Sequence, residues 1–184
     1  MIALLGGTFD PPHLGHVELA REAERRFGLD DLVVLVTARP GHKEVNLDAD
    51  TRLELARAAF PDRNVELDPY ERTVDMLEAG RWSEPLFLIG ADEFADFLTW
   101  KDPEGVLSRA RLAVATRPGF PHDRLDRVLR QLSRPDRVEF FEIRPVPVSS
   151  REIRERVARG EPIDQLVPPK VAELIESRGL YRNV

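Results

Sequence analysis

The stretch from Leu4 to His16 contains the residues with the clearest capacity for chemistry, reading L-L-G-G-T-F-D-P-P-H-L-G-H. An apolar run that stops at Gly6 and Gly7 predicts a buried strand followed by a tight turn, and a helical pattern resumes soon afterwards. Glycines let the backbone approach a ligand closely, and the start of a helix offers unpaired N–H groups to an anion. His13 and His16 are three residues apart and would share one face of a first helical turn. The stretch therefore predicts a phosphate-binding site.

Simpler interpretations of the same residues remain open. Two adjacent glycines fit any strand-to-helix turn, and histidines three residues apart can form half of a zinc site. The chain has no cysteine and only two further histidines, which disfavours zinc. No Gly-Lys-Ser/Thr follows the glycines and their spacing is not G-x-G-x-x-G, so the stretch is neither a P-loop nor a dinucleotide fingerprint.

Taken whole, G-G-T-F-D-P-P-H-L-G-H resembles the first signature of the nucleotidylyltransferases of the H/T-x-G-H superfamily. The long form G-G-T-F-D-P-x-H-x-G-H is typical of the bacterial nicotinate mononucleotide adenylyltransferases. The resemblance implies an ATP-binding loop made of Gly6, Gly7, Thr8 and Phe9. It also implies that His13 and His16 are catalytic and contact the α and β phosphates of ATP.

A second phosphate motif is indicated at residues 148–154, which read V-S-S-R-E-I-R. Ser149 or Ser150 can cap a helix, and Glu152 lies three residues after Ser149, which makes a capping box. Arg154 lies about one turn further on, where its guanidinium can pair with phosphate oxygens in a bidentate way. A helix cap with a solvated arginine is the simpler interpretation. The stretch nevertheless resembles the superfamily's second motif, I-S-S-T-x-I-R, with Val and Arg at the Ile and Thr positions. The resemblance implies a triphosphate site made of Ser149, Ser150 and catalytic Arg154.

Two further motifs at the ends of predicted strands resemble motifs of the same family, and the resemblance implies that they also contact ATP. Gly90-Ala91-Asp92 matches its G-A-D, which implies that Gly90 and Asp92 bind ATP and that the aspartate holds the ribose hydroxyls. Asp92 can equally cap a helix that begins at Glu93. Arg117, in R-P-G, matches an arginine near the ATP phosphates. Together these motifs extend the resemblance over nearly the whole chain.

Other residues resemble the family's site for the second substrate. The stretch P-G-H-K falls at the family's P-P-H-K, which implies that His42 and Lys43 meet the phosphate of the mononucleotide. Trp100 matches a tryptophan beside the nicotinate ring, although a lone tryptophan is more often a core residue. The family's S-Y-T-x-D-T-L reads E-R-T-V-D-M-L here, so Thr73 is in place and Arg72 replaces the tyrosine. An arginine near the ring carboxylate would suit nicotinate over nicotinamide, and it could equally point to solvent.

The resemblance implies a reaction between ATP and nicotinate mononucleotide. The phosphate of the mononucleotide is already anionic, so neither a Ser-His-Asp nor a Cys-His arrangement is needed. Mg²⁺ is the expected cofactor, held by ATP oxygens and water, and no residue is nominated as a metal ligand. One alternative is phosphopantetheine adenylyltransferase, which usually has threonine in place of His13 and lacks the G-A-D and R-P-G pair. Another is a nucleotide-binding regulatory module that no longer catalyses.

Composition excludes several other classes of protein. The 184 residues are 42% apolar and 33% charged, as in one ordinary globular domain with a full-sized core. A net charge of -6 argues against a nucleic-acid partner, because proteins that bind nucleic acid usually have a basic face. No apolar run approaches membrane-spanning length and no signal peptide is recognised, so a cytoplasmic location is the default expectation. The oligomeric state stays open, with a homo-oligomer as one option.

The elements that must position these residues alternate along the chain. Apolar runs predict strands, and helical patterns lie between them. The predicted strands cover 2–5, 31–37, 65–67, 86–89, 111–116 and 138–143. The predicted helices cover 14–28, 52–60, 70–79, 149–160 and 168–177. This alternation predicts an α/β fold with a Rossmann-like, doubly wound, mainly parallel sheet.

The predicted sheet explains how distant motifs could form one site. The carboxyl ends of parallel strands share one edge, so the polar residues that follow four of the strands are expected to meet there. An extended Pro-Val-Pro-Val stretch predicts a boundary near Val148. We therefore expect a nucleotide-binding domain over 1–148 and a small helical C-terminal part over 149–184 that completes the ATP site.

Overall fold

Strands and helices alternate in the computed structural model, which describes residues 1–41 and 44–182. The strands of this described part are β1 (Ile2–Gly7), β2 (Asp31–Thr37), β3 (Asn64–Asp68), β4 (Leu86–Gly90), β5 (Arg111–Thr116) and β6 (Val138–Glu142). The α-helices are α1 (Leu14–Phe27), α2 (Ala49–Ala59), α3 (Thr73–Glu78), α4 (Ala91–Ala95), α5 (Pro103–Arg109), α6 (His122–Leu129), α7 (Ser150–Ala158) and α8 (Pro169–Ser177). Short 3-10 helices cover Phe97–Thr99 and Pro135–Arg137.

The strands form a single six-stranded sheet in the order β3-β2-β1-β4-β5-β6. Every neighbouring pair is parallel, so the predicted doubly wound parallel sheet is confirmed. The chain winds outwards from β1 to β3 in one direction and from β4 to β6 in the other. The order reverses between β1 and β4, and in open parallel sheets ligands bind in the crevice at the carboxyl side of such a reversal.

Two hydrophobic clusters cover the two faces of the sheet. One cluster joins α1 and α2 to the C-terminal helices, and Ile153, Val171 and Ile175 are all buried in it. The other cluster packs α3 to α6 on the opposite face, with Phe94 and Leu107 fully buried. The C-terminal helices thus share a core with the first two helices. The boundary near residue 148 stays a prediction.

Local capping residues explain where the helices begin and end. Gly28 ends α1 in the left-handed conformation (φ 57°), which a residue with a side chain rarely adopts. The α2 helix begins before the predicted residue 52, because the Asp48 side chain accepts a hydrogen bond from the Thr51 N–H at 2.8 Å. The α3 helix begins after the predicted residue 70, because the Asp68 carboxylate accepts from the Tyr70 N–H and holds a turn there.

Candidate active site

The two motif histidines lie at the start of α1 and contact each other. His13 is the N-cap residue, and its backbone N–H donates to Nδ1 of His16 at 3.1 Å. The two rings stack with their centroids 3.7 Å apart and 28° between their planes. The predicted common face is therefore confirmed, and the backbone N–H groups of the first turn of α1 lie beside it.

Burial sets the protonation state of His13. Its ring is largely removed from water, which disfavours the charged imidazolium and lowers the pKa to about 4. At neutral pH the side chain is an uncharged imidazole, with one N–H donor and one acceptor nitrogen. His13 can therefore donate a hydrogen bond to a phosphate oxygen but does not supply a positive charge.

Two glycines pack tightly beside these rings. A Cβ on Gly15 would lie 3.0 Å from Nδ1 of His13, and a Cβ on Gly7 would lie 3.0 Å from the Phe9 ring. Phe9 itself is 1% exposed, has a positive φ of 50°, and meets the ring of His16 edge-on at 5.1 Å. The small residues of the motif thus let aromatic rings pack against the segment of residues 6–16, which is called the phosphate loop below.

The second phosphate motif contacts the first, although 139 residues or more separate the bonded groups. The Ser150 hydroxyl donates to the carbonyl of Pro11 at 2.8 Å. Nη1 of Arg154 donates to the carbonyl of Asp10, also at 2.8 Å. Ser149 is the N-cap of α7, and its Oγ accepts from the Glu152 N–H at 3.1 Å. The two motifs therefore form one surface at the carboxyl edge of the sheet.

The residues predicted to hold adenosine follow the neighbouring strands. Gly90 is the N-cap of α4, so the alternative that Asp92 caps a helix beginning at Glu93 is wrong. The helix begins two residues earlier and Asp92 lies in its first turn, where its side chain is 71% exposed. Nη2 of Arg117 lies 3.4 Å from Asp92 Oδ2. The structure thus brings these two predicted residues together, with a carboxylate open to a ligand.

A cavity of about 890 Å³ lies at the carboxyl ends of β1, β2 and β4, beside the phosphate loop. It is lined both by residues of that loop and by residues predicted for the second substrate. These are Gly6, Gly7, Thr8, Arg72, Thr73 and Trp100. This volume is within the range of sites that enclose small ligands, and it is large enough for a mononucleotide.

Trp100 forms an aromatic wall of this cavity. Its ring meets Phe87 edge-on at 6.4 Å and Phe97 edge-on at 5.3 Å, while the side chain stays half-buried. The residue therefore packs against the core and lines the cavity at once. A flat ligand ring beside it would complete the aromatic packing.

Charged residues surround the inner wall of the same cavity. Nη2 of Arg72 lies 2.8 Å from Glu71 Oε1, and Nζ of Lys101 lies 2.7 Å from Asp75 Oδ1. The hydrogen bond from Lys101 to Asp75 raises the pKa of the lysine. Arg72 and Lys101 thus line the same cavity as Trp100, and each is paired with a carboxylate. His42 and Lys43, predicted to meet the mononucleotide phosphate, lie outside the described residues.

Several residues that line the cavity were not predicted. Asp68 is the last residue of β3, and burial raises the pKa of its carboxyl group. Glu71 and Lys101 lie next to residues that were predicted. The strand-end rule that located four loops also applies to β3, and it could have found Asp68.

Arg52 is a buried residue beside the phosphate loop that was not predicted from the sequence. Its side chain is 1% exposed, and Nη1 donates to the carbonyls of Thr8 and Thr37 at 2.8 Å each. Nε donates to the carbonyl of Leu47 at 3.1 Å. Arg52 thus joins the phosphate loop to the segment between β2 and α2. Helical spacing gave a signal, because Arg52 lies on the buried face of α2 with Leu55, Ala56 and Ala59.

A second, more open groove of about 670 Å³ lies between α1 and the ends of β5 and β6. In this groove Arg25 lies 2.7 Å from Glu22, and Arg21 is also near that carboxylate. None of the predicted site residues lines this groove. The cavity beside the phosphate loop is therefore the better candidate for a substrate site.

Two negative observations apply to the described part of the chain alone. Residues 1–41 and 44–182 contain no group of three or more histidine, aspartate or glutamate side chains placed to hold a metal ion. In the same residues, no helix is both long enough and apolar enough to cross a membrane.

Comparisons with known proteins show the family of the chain and agree with its fold. The cytidylyltransferase-like family matches residues 4–156, so this chain belongs to that family of proteins. Within it, the chain belongs with the nicotinate-nucleotide adenylyltransferases. It is 37% identical to the protein of that name from Rubrobacter xylanophilus, over 98% of this chain and 92% of the relative. It is 36% identical to the one from Thermus thermophilus, over 98% and 99%.

Solved structures share the fold at lower sequence identity. The nicotinic acid mononucleotide adenylyltransferase of Plasmodium falciparum complexed with NaAD superposes with a TM-score of 0.78 at 17% identity, covering 98% of this chain and 97% of that one. The same enzyme complexed with APC gives a TM-score of 0.75 at 16% identity, covering 98% and 96%. At these identities the likeness establishes the fold.

Proposed function

We propose that this chain joins the AMP part of ATP to nicotinate mononucleotide, forming nicotinate adenine dinucleotide (deamido-NAD) and pyrophosphate in NAD biosynthesis. The observation that carries the proposal is the contact between the two phosphate motifs, with Arg154 bonded to Asp10 at 2.8 Å. The same edge of the sheet opens into a cavity of a size that suits a mononucleotide. The relatives named nicotinate-nucleotide adenylyltransferase support the choice of acceptor.

The reaction is a single displacement at phosphorus. An oxygen of the mononucleotide phosphate attacks the α-phosphorus of ATP in line, while the bond from that phosphorus to the oxygen bridging to the β-phosphate breaks. Pyrophosphate leaves with the electron pair of the broken bond. The nucleophile is already an anion, so the protein needs no general base. Its contribution is to position two polyanions and to stabilise the charge that builds on the transferred and leaving phosphates.

The phosphate loop and α7 supply groups for this task. His13 and His16 contact the α and β phosphates, and His13 does so as a neutral hydrogen-bond donor because burial keeps its pKa near 4. Arg154, with the Ser149 hydroxyl and the backbone N–H of Ser150 at the start of α7, holds the β and γ phosphates, because the Ser150 hydroxyl already donates to Pro11. The guanidinium has five N–H donors, and its bond to Asp10 occupies one of them. The remaining donors suit a bidentate contact with phosphate oxygens.

The rest of ATP follows the neighbouring strands. Asp92, exposed in the first turn of α4, accepts hydrogen bonds from the ribose hydroxyls, and Gly90 lets the backbone approach them. Arg117, beside Asp92, contacts the phosphates. The floor of the ATP site is the loop Gly6, Gly7, Thr8 and Phe9.

Nicotinate mononucleotide occupies the cavity. Its ring packs beside Trp100, and its carboxylate faces the Arg72 guanidinium and the Thr73 hydroxyl. His42 and Lys43 are proposed to hold its phosphate, which supplies the attacking oxygen. A carboxylate gains more from the Arg72 charge than a neutral amide does, so the acid is preferred to nicotinamide mononucleotide.

We also propose that Mg²⁺ enters with ATP. Mg²⁺ often keeps several waters and is bound through substrate phosphates, and it then offsets phosphate charge. The cytoplasmic location and the absence of a nucleic-acid partner remain predictions from the sequence, and the oligomeric state stays open.

Pyrophosphate release tests the proposed function. The protein is incubated with ATP and Mg²⁺ and with one of three acceptors: nicotinate mononucleotide, nicotinamide mononucleotide or phosphopantetheine. We expect rapid release with the nicotinate acceptor and a dinucleotide product of the corresponding mass. Equal use of the two mononucleotides would contradict the role given to Arg72. No release with any acceptor would contradict the adenylyltransferase assignment.

A further inference from the structure

Tyr181 lies near the C-terminal end of the described chain and is bonded to the phosphate loop. Its side chain is 3% exposed, and its hydroxyl donates to Oδ1 of Asp10 at 2.7 Å. Asp10 is 2% exposed. The bond therefore joins two buried groups that are 171 positions apart in the sequence.

Asp10 makes further bonds that connect it to both substrate sites. Its Oδ2 accepts from the backbone N–H of Asn46, which lies in the segment between β2 and α2, at 2.6 Å. Its carbonyl oxygen accepts from Nη1 of Arg154 at 2.8 Å. One residue thus holds the segment beside the predicted mononucleotide site and the arginine predicted for the triphosphate.

Burial and the adjacent Asp10 keep the hydroxyl of Tyr181 protonated. Burial raises the pKa of the phenol, and the adjacent Asp10 carboxylate raises it further, while Arg154 and Arg52 oppose the shift. The phenol is therefore a permanent donor to a carboxylate, a charge-assisted hydrogen bond that is stronger than one between neutral groups. Arg154 also lies close enough to Tyr181 to affect this pKa, so the three residues form one cluster.

We propose that Tyr181 is a positioning residue for adenylyl transfer, acting through Asp10 to hold Arg154 at the triphosphate of ATP. The inference rests on the proposed function, because it gives Arg154 a phosphate to bind. The Tyr181 hydroxyl fixes the side chain of Asp10, and Asp10 fixes the loop whose carbonyl receives Nη1 of Arg154. Without the hydroxyl, this carbonyl and the guanidinium gain freedom that ATP binding must then remove.

The test compares Tyr181→Phe, which removes a single hydroxyl, with Tyr70→Phe. Tyr70 is the only other tyrosine of the chain and is 39% exposed. Titration calorimetry measures the dissociation constant of ATP with Mg²⁺, and steady-state kinetics measures kcat and KM. We expect Tyr181→Phe to weaken ATP binding and lower kcat/KM for ATP about ten-fold, as the loss of one hydrogen bond to a charged group can. Tyr70→Phe should stay within two-fold of the wild type.

A double-mutant cycle separates positioning from a purely structural role. In an Arg154→Ala background, Tyr181→Phe should change the ATP dissociation constant by less than two-fold, because the group it positions is gone. The melting temperature should fall equally in both backgrounds. A ten-fold effect that persists without Arg154, or no effect of Tyr181→Phe in the wild type, would overturn the proposal. Failure of the proposed function can be distinguished from failure of the Tyr181 proposal. In the first case the wild-type protein would bind ATP without forming dinucleotide, and the double-mutant cycle on ATP binding would still decide the role of Tyr181.

Discussion

Replacing Arg52 with methionine removes a buried cation while keeping much of the side-chain volume. The change leaves the carbonyls of Thr8, Thr37 and Leu47 without their guanidinium donor. It also removes a positive charge near buried Asp10, whose carboxylate opposes the burial-driven fall in the pKa of Arg52. Breaking a buried, hydrogen-bonded charge arrangement by removing one partner costs about 3–5 kcal/mol. We therefore expect Arg52→Met to lower the free energy of unfolding by about 4 kcal/mol.

The matched control is Arg57→Met on the same helix. Arg57 is exposed and has one long hydrogen bond, from Nε to the carbonyl of Val65 at 3.4 Å. Urea unfolding followed by circular dichroism gives the free energy of each variant, and thermal melting gives an independent measure. At about 2–4 °C per kcal/mol for a chain of this size, Arg52→Met should melt roughly 8–16 °C below the wild type. A difference of less than about 1 kcal/mol between the two variants would refute the role given to Arg52.

Three further predictions follow from the site. The pKa of His13 is lowered to about 4 in the folded protein. As the pH falls below 6.5, the unfolded chain therefore binds a proton at this histidine before the folded protein does. Between pH 7 and pH 5, the free energy of unfolding of the wild type should therefore fall by up to about 2 kcal/mol more than that of His13→Gln. Urea unfolding measures this difference, with His122→Gln as the surface control. Gly15→Ala should displace the His13 ring and lower kcat about ten-fold, while the melting temperature stays equal or rises because alanine favours the helix; an unchanged kcat would contradict the packing argument. Trp100→Ala should raise KM for the mononucleotide about ten-fold and leave KM for ATP within two-fold; equal changes in both would contradict its placement.

The sheet could be predicted because each strand carries its own signal. The run at 111–116 is apolar and bounded by polar residues, and the observed strand has the same limits. Its partners are parallel because helices connect the strands, which the alternation of patterns already indicated. The helix at 73–78 was predicted to begin at residue 70, three residues too early. Its start depends on the hydrogen bond that the Asp68 carboxylate accepts from the Tyr70 N–H, and a periodic pattern does not report such a bond.

The phosphate motifs could be located from sequence, but their bonds to each other could not. The Ser150 hydroxyl was expected at a phosphate, and in the structure it donates to the Pro11 carbonyl. Contact between α7 and the first loop depends on how the C-terminal helices pack, which local spacing does not specify. Arg52 and Tyr181 were not predicted as site residues, because all their hydrogen-bond partners except Leu47 lie 14 to 171 positions away in the sequence.

The most direct test of the central claim is to follow the α-phosphate of ATP. ATP labelled with ³²P at that position is incubated with the protein, Mg²⁺ and nicotinate mononucleotide, and the dinucleotide, AMP and protein fractions are separated. Direct in-line transfer predicts that the label enters the dinucleotide in equal amount to the pyrophosphate released, and that none is bound covalently to the protein. Label that accumulates on the protein, or that appears only as AMP, would contradict direct transfer to the mononucleotide.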